Sequence, residues 1–385
     1  MKLAALISHP IQYYAPIFRA LSAQCDLHVF FGQKVTPEQQ AAAGFDKSFE
    51  WDIDLLSGYR STFLENVASE PRPDRFSGCD TPEIGQFLRR GGFDGLLVMG
   101  WYLKSHFQAI WAAKRAGIPV MVRGDSHLGM PSGPVKRLTK SLFFPSFLKC
   151  FDAALVVGAR NREYWKHYGY PDARMFASPH CVDTDWFAKR ATPEAGVSLR
   201  RKMGISDSTP VALFAGKLIA FKRPGDVIAA AAQARKNGVP VEVLVAGSGP
   251  LEADMRTLAV SHNVPLHILG FCNQSQMPAA YAAADVLVLP SSGRETWGLV
   301  ANEALACGKP VLISDAVGCS PDLAANGRAG CTFPMGDVVA CGQALSDLLS
   351  NPPTKADIAQ VSETLSIPAA TRGIIAAFNS IKFEH

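Results

Sequence analysis

The sequence predicts an α/β fold in which two doubly wound domains face a cleft. Short apolar runs alternate with helical stretches along the 385 residues, and most runs are apolar at nearly every position. Strands of this kind are buried on both faces, as in parallel sheets covered by helices on each side. The runs form two sets, KLAALIS, LHVFFG, GLLVMG, PVMVRGD and AALVVG, then VALFAG, VEVLVAG, LHILG, DVLVLP and PVLISD. Two sets of strands indicate two Rossmann-like domains.

The alternating pattern breaks over residues 180–210, where charged and turn-forming residues replace it. We therefore predict an N-terminal domain over residues 1–185 and a linker over residues 186–208. A C-terminal domain over residues 209–360 precedes a helical segment over residues 361–385 that packs back on the N-terminal domain. Open α/β sheets bind ligands beyond the carboxyl ends of their strands, so we expect the functional site in the cleft.

Composition excludes several classes of protein. A chain that is 48% hydrophobic is not disordered, and a net charge of +4 is too small for a typical nucleic-acid binder. The nine cysteines form no C-x-x-C pair, which fits a reducing cytosol. The first apolar run is too short for a secretory signal, and none of the runs approaches the length of a membrane span. We expect a cytoplasmic protein whose membrane contacts, if it makes any, are peripheral.

The stretch ETWGLVANEALACGKPV holds Glu295 and Glu303 eight positions apart. Glu295 follows the strand DVLVLP, and Glu303 lies in the second turn of the next predicted helix. A carboxylate accepts hydrogen bonds from two adjacent sugar hydroxyls, and a helix N-terminus favours a phosphate. The N–H groups available for a phosphate are those of Gly298, Leu299 and Val300. The alternative is that Glu295 caps the helix and Glu303 is a solvated helix residue.

Two further strand ends carry residues suited to a nucleotide. VALFAGKLIAFKR places Gly216, Lys217 and Lys222 where a diphosphate would need positive charge. VEVLVAGSGP resembles a nucleotide-binding turn around Gly247 without completing G-x-G-x-x-G. Ordinary surface lysines and an ordinary tight turn remain alternatives at these positions.

Together, AGKLIAFKR, VLVAGSGP, LHILGF and SSGRETWGLVANEALACGKPVLISDAVG resemble, in order and spacing, the retaining glycosyltransferases of family 4. The resemblance covers most of residues 208–350, and its most specific part is the E-x7-E element followed by A-C-G-x-P-V. It implies a GT-B fold, a nucleoside-diphosphate sugar held mainly by the C-terminal domain, and a glycan or lipid-linked acceptor held by the N-terminal domain. It also implies retention of the anomeric configuration.

The resemblance assigns roles to individual residues. Glu303 would hold the ribose hydroxyls, Glu295 would face the transferred sugar, and the two lysines would bind the diphosphate without a metal or another cofactor. The remaining donor-binding residues that it implies are Gly216, Gly247, Gly270, Phe271, Gly298, Leu299 and Val300. The chain departs from the family at SHPIQYYAP, where a glycine pair often covers the donor phosphates.

In the N-terminal half, VMVRGDSHLG places Arg123, Asp125 and His127 at a strand end that should face the cleft. The family often has a histidine or an acidic residue near the acceptor there, so we predict Asp125 and His127 as catalytic residues beside Glu295. A structural loop network is the alternative.

Two D-x-D triplets, in WDIDLL and VDTDWF, could suggest a metal site. We reject both, because WDIDLL alternates like an exposed edge strand and VDTDWF belongs to the linker.

The segment over residues 135–150 mixes basic and aromatic residues, and Pro145 should interrupt its helix. Its basic residues are Lys136, Arg137, Lys140 and Lys149. Two interpretations stay open: the helix lies on an anionic membrane surface, or it packs its apolar side on the N-terminal core.

The sequence therefore predicts a glycosyltransferase of cell-surface polysaccharide or glycolipid biosynthesis. The alternatives are an epimerase acting on a nucleotide sugar and a non-catalytic subunit that binds one.

Overall fold

The computed structural model describes residues 1–42 and 48–382. Thirteen strands form two sheets in which all neighbouring strands are parallel. The first sheet has the order β3-β2-β1-β4-β5-β6-β7 and the second the order β10-β9-β8-β11-β12-β13. The strands are β1 Lys2–Ile7, β2 Asp26–Phe31, β3 Arg60–Phe63, β4 Gly95–Met99, β5 Val120–Gly124, β6 Ala153–Val156, β7 Met175–Ala177, β8 Val211–Ala215, β9 Glu242–Ala246, β10 Leu266–Gly270, β11 Val286–Leu289, β12 Val311–Ser314 and β13 Gly330–Phe333.

Helices connect the strands and cover both sheets. They are α1 Ala15–Ser22, α2 Pro37–Ala42, α3 Ile84–Gly91, α4 Lys104–Arg115, α5 Pro134–Leu148, α6 Ala159–His167, α7 Thr184–Arg190, α8 Pro193–Met203, α9 Pro224–Lys236, α10 Glu252–His262, α11 Met277–Ala283, α12 Leu299–Ala306, α13 Ser320–Leu323, α14 Val338–Ser350, α15 Lys355–Thr364 and α16 Ile367–Lys382. None of the helices within residues 1–42 and 48–382 is both long and apolar enough to cross a membrane.

The predicted fold class is confirmed, and each strand predicted from a continuous apolar run is present. The sequence missed β3, β7 and β13, which are the short strands at sheet edges. An edge strand has a neighbour on one side only, and the residues of β3 are all partly or fully exposed. Such strands lack the continuous apolar run that marks a central strand of a parallel sheet.

Helices α7 and α8 fill most of the predicted linker over residues 186–208. The Thr192 side chain caps α8, and Gly204 ends the helix in a left-handed conformation. The buried Arg200 donates to the Ala283 carbonyl at 2.8 Å and pairs with Asp285 at 2.8 Å. These contacts make α8 part of the C-terminal domain.

Helix α16 crosses back to the N-terminal domain. Its buried residues pack in one cluster with β1, β2 and α1, and these residues are Ala370, Ile374, Ala377, Phe378 and Ile381. Gly373 allows close approach, because a Cβ there would lie 1.8 Å from the Ala177 carbonyl oxygen. Residues 383–385 of the predicted C-terminal segment lie outside the described residues.

Candidate active site

A cavity of about 390 Å³ lies between the two domains. The carboxyl ends of β8, β9 and β10 and the start of α12 form most of its wall, as expected for ligand sites of open α/β sheets. The N-terminal domain supplies Gln12, Tyr13 and Trp51. The C-terminal domain supplies Gly216, Lys217, Ile219, Phe221, Lys222, Ala246, Gly247, Phe271, Cys272, Gln274, Met277, Val300 and Glu303.

Most of the predicted donor-binding residues line this cavity. They are Gly216, Lys217, Lys222, Gly247, Phe271, Val300 and Glu303. Gly270, Gly298 and Leu299 are not part of the lining, although each is within two positions of a residue that is. The residues of the separate sequence motifs therefore lie around one cavity, which is formed at the strand ends.

Glu303 is 2% exposed and has both carboxylate oxygens in hydrogen bonds. The Tyr13 hydroxyl donates to Oε1 at 2.9 Å, and the Tyr281 hydroxyl donates to Oε2 at 2.6 Å. Burial raises the pKa of Glu303 to about 7, although both hydrogen bonds act in the opposite direction. The interpretation of Glu303 as a solvated helix residue is therefore wrong.

Sequence reasoning missed both tyrosines. Tyr13 belongs to SHPIQYYAP, the segment that departs from the family pattern, so the departure itself was the available signal. Tyr13 reaches from the N-terminal domain to a carboxyl of the C-terminal domain. The segment between β1 and α1 thus contacts the C-terminal side of the cleft through a side chain and not through glycine backbone.

Glu295 lies directly beside Lys222 and forms an ion pair with it. The side chains are 13% and 15% exposed, and the Ser291 hydroxyl also donates to Glu295 at 3.2 Å. Lys217 faces the same cavity, and burial, followed by the charge of Lys222, lowers its pKa. Two lysines that face one cavity favour an anionic ligand, which would relieve their mutual repulsion.

Two glycines let the strand ends come close together. A Cβ on Gly247 would lie 1.8 Å from the carbonyl oxygen of Gly216, which rules out any larger residue without backbone movement. Gly216 itself has a φ of 142°, which L side chains rarely adopt. The ends of β8 and β9 are therefore open to a ligand that approaches the backbone.

The three predicted catalytic residues meet where the domains touch. The Thr296 hydroxyl donates to Asp125 Oδ2 at 2.7 Å, so Asp125 lies beside the loop that carries Glu295. His127 is 2% exposed, and burial lowers its pKa. Backbone groups of Glu295 and Gly293 raise the same pKa, which places His127 beside the loop that carries Glu295. Within the described part of the chain, Glu295, Asp125 and His127 do not line the cavity but lie next to it.

Arg123, from the same strand end, has a structural role. Its buried guanidinium donates to the Ser178 carbonyl at 3.2 Å and the Pro179 carbonyl at 2.8 Å. The expectation that it faces the cleft with Asp125 and His127 is therefore wrong, because these backbone acceptors hold it in the interior.

The D-x-D triplets hold local or interdomain contacts. Asp54 accepts hydrogen bonds from the N–H groups of Leu56 and Ser57, and Asp183 caps α7. WDIDLL is not a strand, which corrects that expectation, because Asp54 turns the chain at this point. Within the described part of the chain, no group of three or more His, Cys, Asp or Glu side chains could hold a metal ion.

Two parallel-sheet domains with a cavity at their strand ends define a GT-B fold, and comparison with known proteins agrees. Residues 198–364 match the model of the family "Glycosyl transferases group 1". The full chain superposes on HepE from Anabaena, solved in complex with UDP and glucose, with a TM-score of 0.71. The two chains are 16% identical, and the match covers 99% of this chain and 100% of HepE.

Sequence relatives cover part of the chain. A GDP-mannose-dependent alpha-(1-6)-phosphatidylinositol monomannoside mannosyltransferase from Mycolicibacterium smegmatis is 30% identical over 52% of this chain and 54% of its own length. A D-inositol 3-phosphate glycosyltransferase from Geodermatophilus obscurus is 35% identical over 39% of this chain and 35% of its own length. The chain thus spans about half of the first relative and about a third of the second.

Proposed function

We propose that this protein is a glycosyltransferase that moves a sugar from a nucleoside-diphosphate sugar to a glycan or lipid-linked acceptor, in cell-surface polysaccharide or glycolipid biosynthesis. The cavity between two GT-B domains carries this proposal, because a buried carboxyl group, two lysines and open strand ends converge on it. The match of residues 198–364 to "Glycosyl transferases group 1" and the activities of the sequence relatives support the same class.

In this proposal the cavity holds the donor. Lys217, Lys222 and the N-terminus of α12 neutralise the diphosphate, and Glu303 binds the ribose hydroxyls. Each carboxylate oxygen of Glu303 has a second lone pair. A ribose hydroxyl can therefore donate to Glu303 alongside the two tyrosine hydroxyls, or take the place of the Tyr13 hydroxyl. Phe271 lies at the base end of the donor.

Glu295, Asp125 and His127 act on the sugar and the acceptor. As the bond from the sugar to the diphosphate breaks, the sugar gains positive charge and the leaving group gains negative charge. Glu295 stabilises the first charge, and Lys222 stabilises the second. The leaving phosphate helps to deprotonate the acceptor, and the reaction proceeds with retention. Contact between the domains excludes water and so limits donor hydrolysis.

The activity is tested with a panel of UDP- and GDP-sugars, each with and without phosphatidylinositol-linked and polyprenyl-linked glycolipid acceptors. We expect one donor to release its nucleoside diphosphate in an acceptor-dependent manner. An epimerase would change the donor sugar without release, and a non-catalytic subunit would bind the donor without turnover. Either of those results, or a protein that binds no nucleoside diphosphate, contradicts the proposal.

Replacing Asp125 by alanine should reduce transfer about a hundredfold, the usual scale for loss of a positioned acid or base, and leave nucleoside diphosphate affinity unchanged. Asp125→Asn is the matched control, because it keeps an acceptor for the Thr296 hydroxyl but lacks the charge. If both variants lose transfer, the charge is needed. If Asp125→Ala also loses nucleotide affinity, its role is to hold the two domains together.

We also propose a peripheral contact with an anionic membrane, made by α5. Phe144 and Phe147 pack against the N-terminal core, and Leu148 is buried within it. The opposite face exposes apolar side chains, which are Val135 at 77%, Leu138 at 63%, Leu142 at 67% and Phe143 at 67%. Arg137 is also exposed, whereas the Lys136 side chain lies outside the described atoms. The buried face fits the interpretation that the helix packs on the N-terminal core. The exposed apolar face fits the interpretation that it lies on a membrane surface.

The helix runs through Pro145 without interruption, which corrects the expectation of a break. Packing of Phe144 and Phe147 on the core offsets the lost backbone hydrogen bond. The exposed apolar face is therefore continuous, as a surface-lying helix requires.

Changing Leu142 and Phe143 to serine should abolish sedimentation with vesicles that contain phosphatidylglycerol, since it removes apolar area that would enter the membrane surface. Val260→Ser is the control, because Val260 is 83% exposed on α10 in the other domain. Sedimentation that survives the double change, with unfolding temperature unaltered, would show that α5 does not touch the membrane.

A further inference from the structure

A segment of the N-terminal domain closes one end of the cavity. Phe49 is 9% exposed and packs on Phe271 of the C-terminal domain, with ring centroids 4.4 Å apart. The Trp51 ring meets Phe49 edge-on, with centroids 5.1 Å apart and planes at 89°. Trp51 itself lines the cavity together with Phe271.

Polar contacts fix this segment on the loop that precedes α11. The Asp52 carboxylate accepts hydrogen bonds from the Ser275 N–H at 3.2 Å and from the Ser275 hydroxyl. The Asn273 side-chain amide donates to the Glu50 carbonyl oxygen at 2.6 Å. The position of Trp51 is therefore set on both sides by bonds that cross between the domains.

The two ends of the cavity differ in chemistry. Lys217 and Lys222 follow β8, whereas Phe271 follows β10, two strands further along the sheet. Neighbouring strands lie about 4.8 Å apart, so these ends are separated by about 10 Å. That separation suits the distance between the diphosphate and the base of one nucleotide. At the aromatic end, the 7% exposed Gln274 adds an amide that can donate and accept hydrogen bonds.

We propose that Trp51 stacks on the base of the donor nucleotide, so that the N-terminal domain completes a base site which the C-terminal domain begins with Phe271. Asp52 is a positioning residue that holds Trp51 through Ser275. The inference rests on the proposed function, because it takes the ligand to be a nucleoside diphosphate. It adds that affinity for the base depends on both domains.

The test titrates UDP, GDP and inorganic pyrophosphate into the wild type and five variants. Trp51→Ala should weaken whichever of UDP and GDP binds better by about tenfold, the usual scale for loss of one base–aromatic stack, and leave pyrophosphate affinity unchanged. Trp51→Phe should restore most of the affinity. Trp111→Ala is the matched control, because Trp111 is 63% exposed on α4 and does not line the cavity.

Fluorescence separates stacking from a structural effect. A base that stacks on Trp51 should quench its emission, so the nucleotide-induced quench should disappear in Trp51→Phe although binding persists. Asp52→Ala should weaken both the quench and the affinity, and Asp52→Asn should restore both, since an amide oxygen still accepts from Ser275.

Trp51→Ala with wild-type affinity for UDP and GDP would overturn this inference and leave the proposed function intact. Equal losses for nucleotide and pyrophosphate would also overturn it. A wild-type protein that binds neither UDP nor GDP would overturn the proposed function and the inference together.

Discussion

Glu295→Gln is expected to reduce sugar transfer about a hundredfold or more, while nucleoside diphosphate affinity stays within about threefold of the wild type. Glutamine keeps the shape of the side chain and a hydrogen-bond acceptor for Ser291. In the proposed mechanism it loses the negative charge that faces the positive sugar in the transition state. An interaction that strengthens only in the transition state is expressed in the rate and not in ground-state binding.

Steady-state rates with a matched donor, together with calorimetric titration of the nucleoside diphosphate, measure this effect. Lys222→Ala is the reference variant, since it removes the other half of the ion pair and should weaken nucleotide binding as well. If Glu295→Gln loses as much nucleotide affinity as Lys222→Ala, Glu295 acts by positioning Lys222 and not on the sugar.

Glu303→Gln is expected to remove one contribution to the dependence of stability on pH, the loss of stability as the pH rises through 7. Burial raises the pKa of Glu303 from 4.5 to about 7. A group whose pKa is raised by folding binds its proton more tightly in the native state. Its contribution to the free energy of unfolding is therefore complete below pH 4.5 and is lost as the pH rises through 7. That loss is about 3 kcal/mol between pH 4.5 and pH 8, and an uncharged glutamine cannot produce it.

Urea unfolding of the free protein at pH 5, 6, 7 and 8 measures the effect. Glu252→Gln is the matched control, because Glu252 is a surface carboxylate that pairs with Arg256 on α10. The same variants test the ribose role, since Glu303→Gln should weaken UDP or GDP about tenfold or more. An unchanged pH profile would mean that Glu303 stays ionised between its two tyrosines, and unchanged nucleotide affinity would remove it from the donor site.

The sequence by itself determined the central strands, the fold class and the part of the cavity wall that follows β8 and β9. Strands buried on both faces are apolar at nearly every position, so β1 and β8 can be predicted from the sequence without tertiary information. Gly216 and Gly247 follow their strands directly, and Lys217 and Lys222 follow soon after. The topology of a parallel sheet brings the carboxyl ends of its strands to one edge. Local order along the chain was therefore enough to predict that these residues meet.

Only the tertiary structure decided which distant residues complete the site. Tyr13 meets Glu303 across 290 positions of the chain, and Asp52 meets Ser275 across 223. Each such contact joins two short polar segments whose local patterns suggest a cap, a turn or an exposed strand. Whether the two segments meet depends on how the two domains are oriented. The sequence pattern of either segment does not indicate that orientation. The same holds for α8 and α16, whose places depend on partners elsewhere in the chain, Asp285 for α8 and the N-terminal sheet for α16.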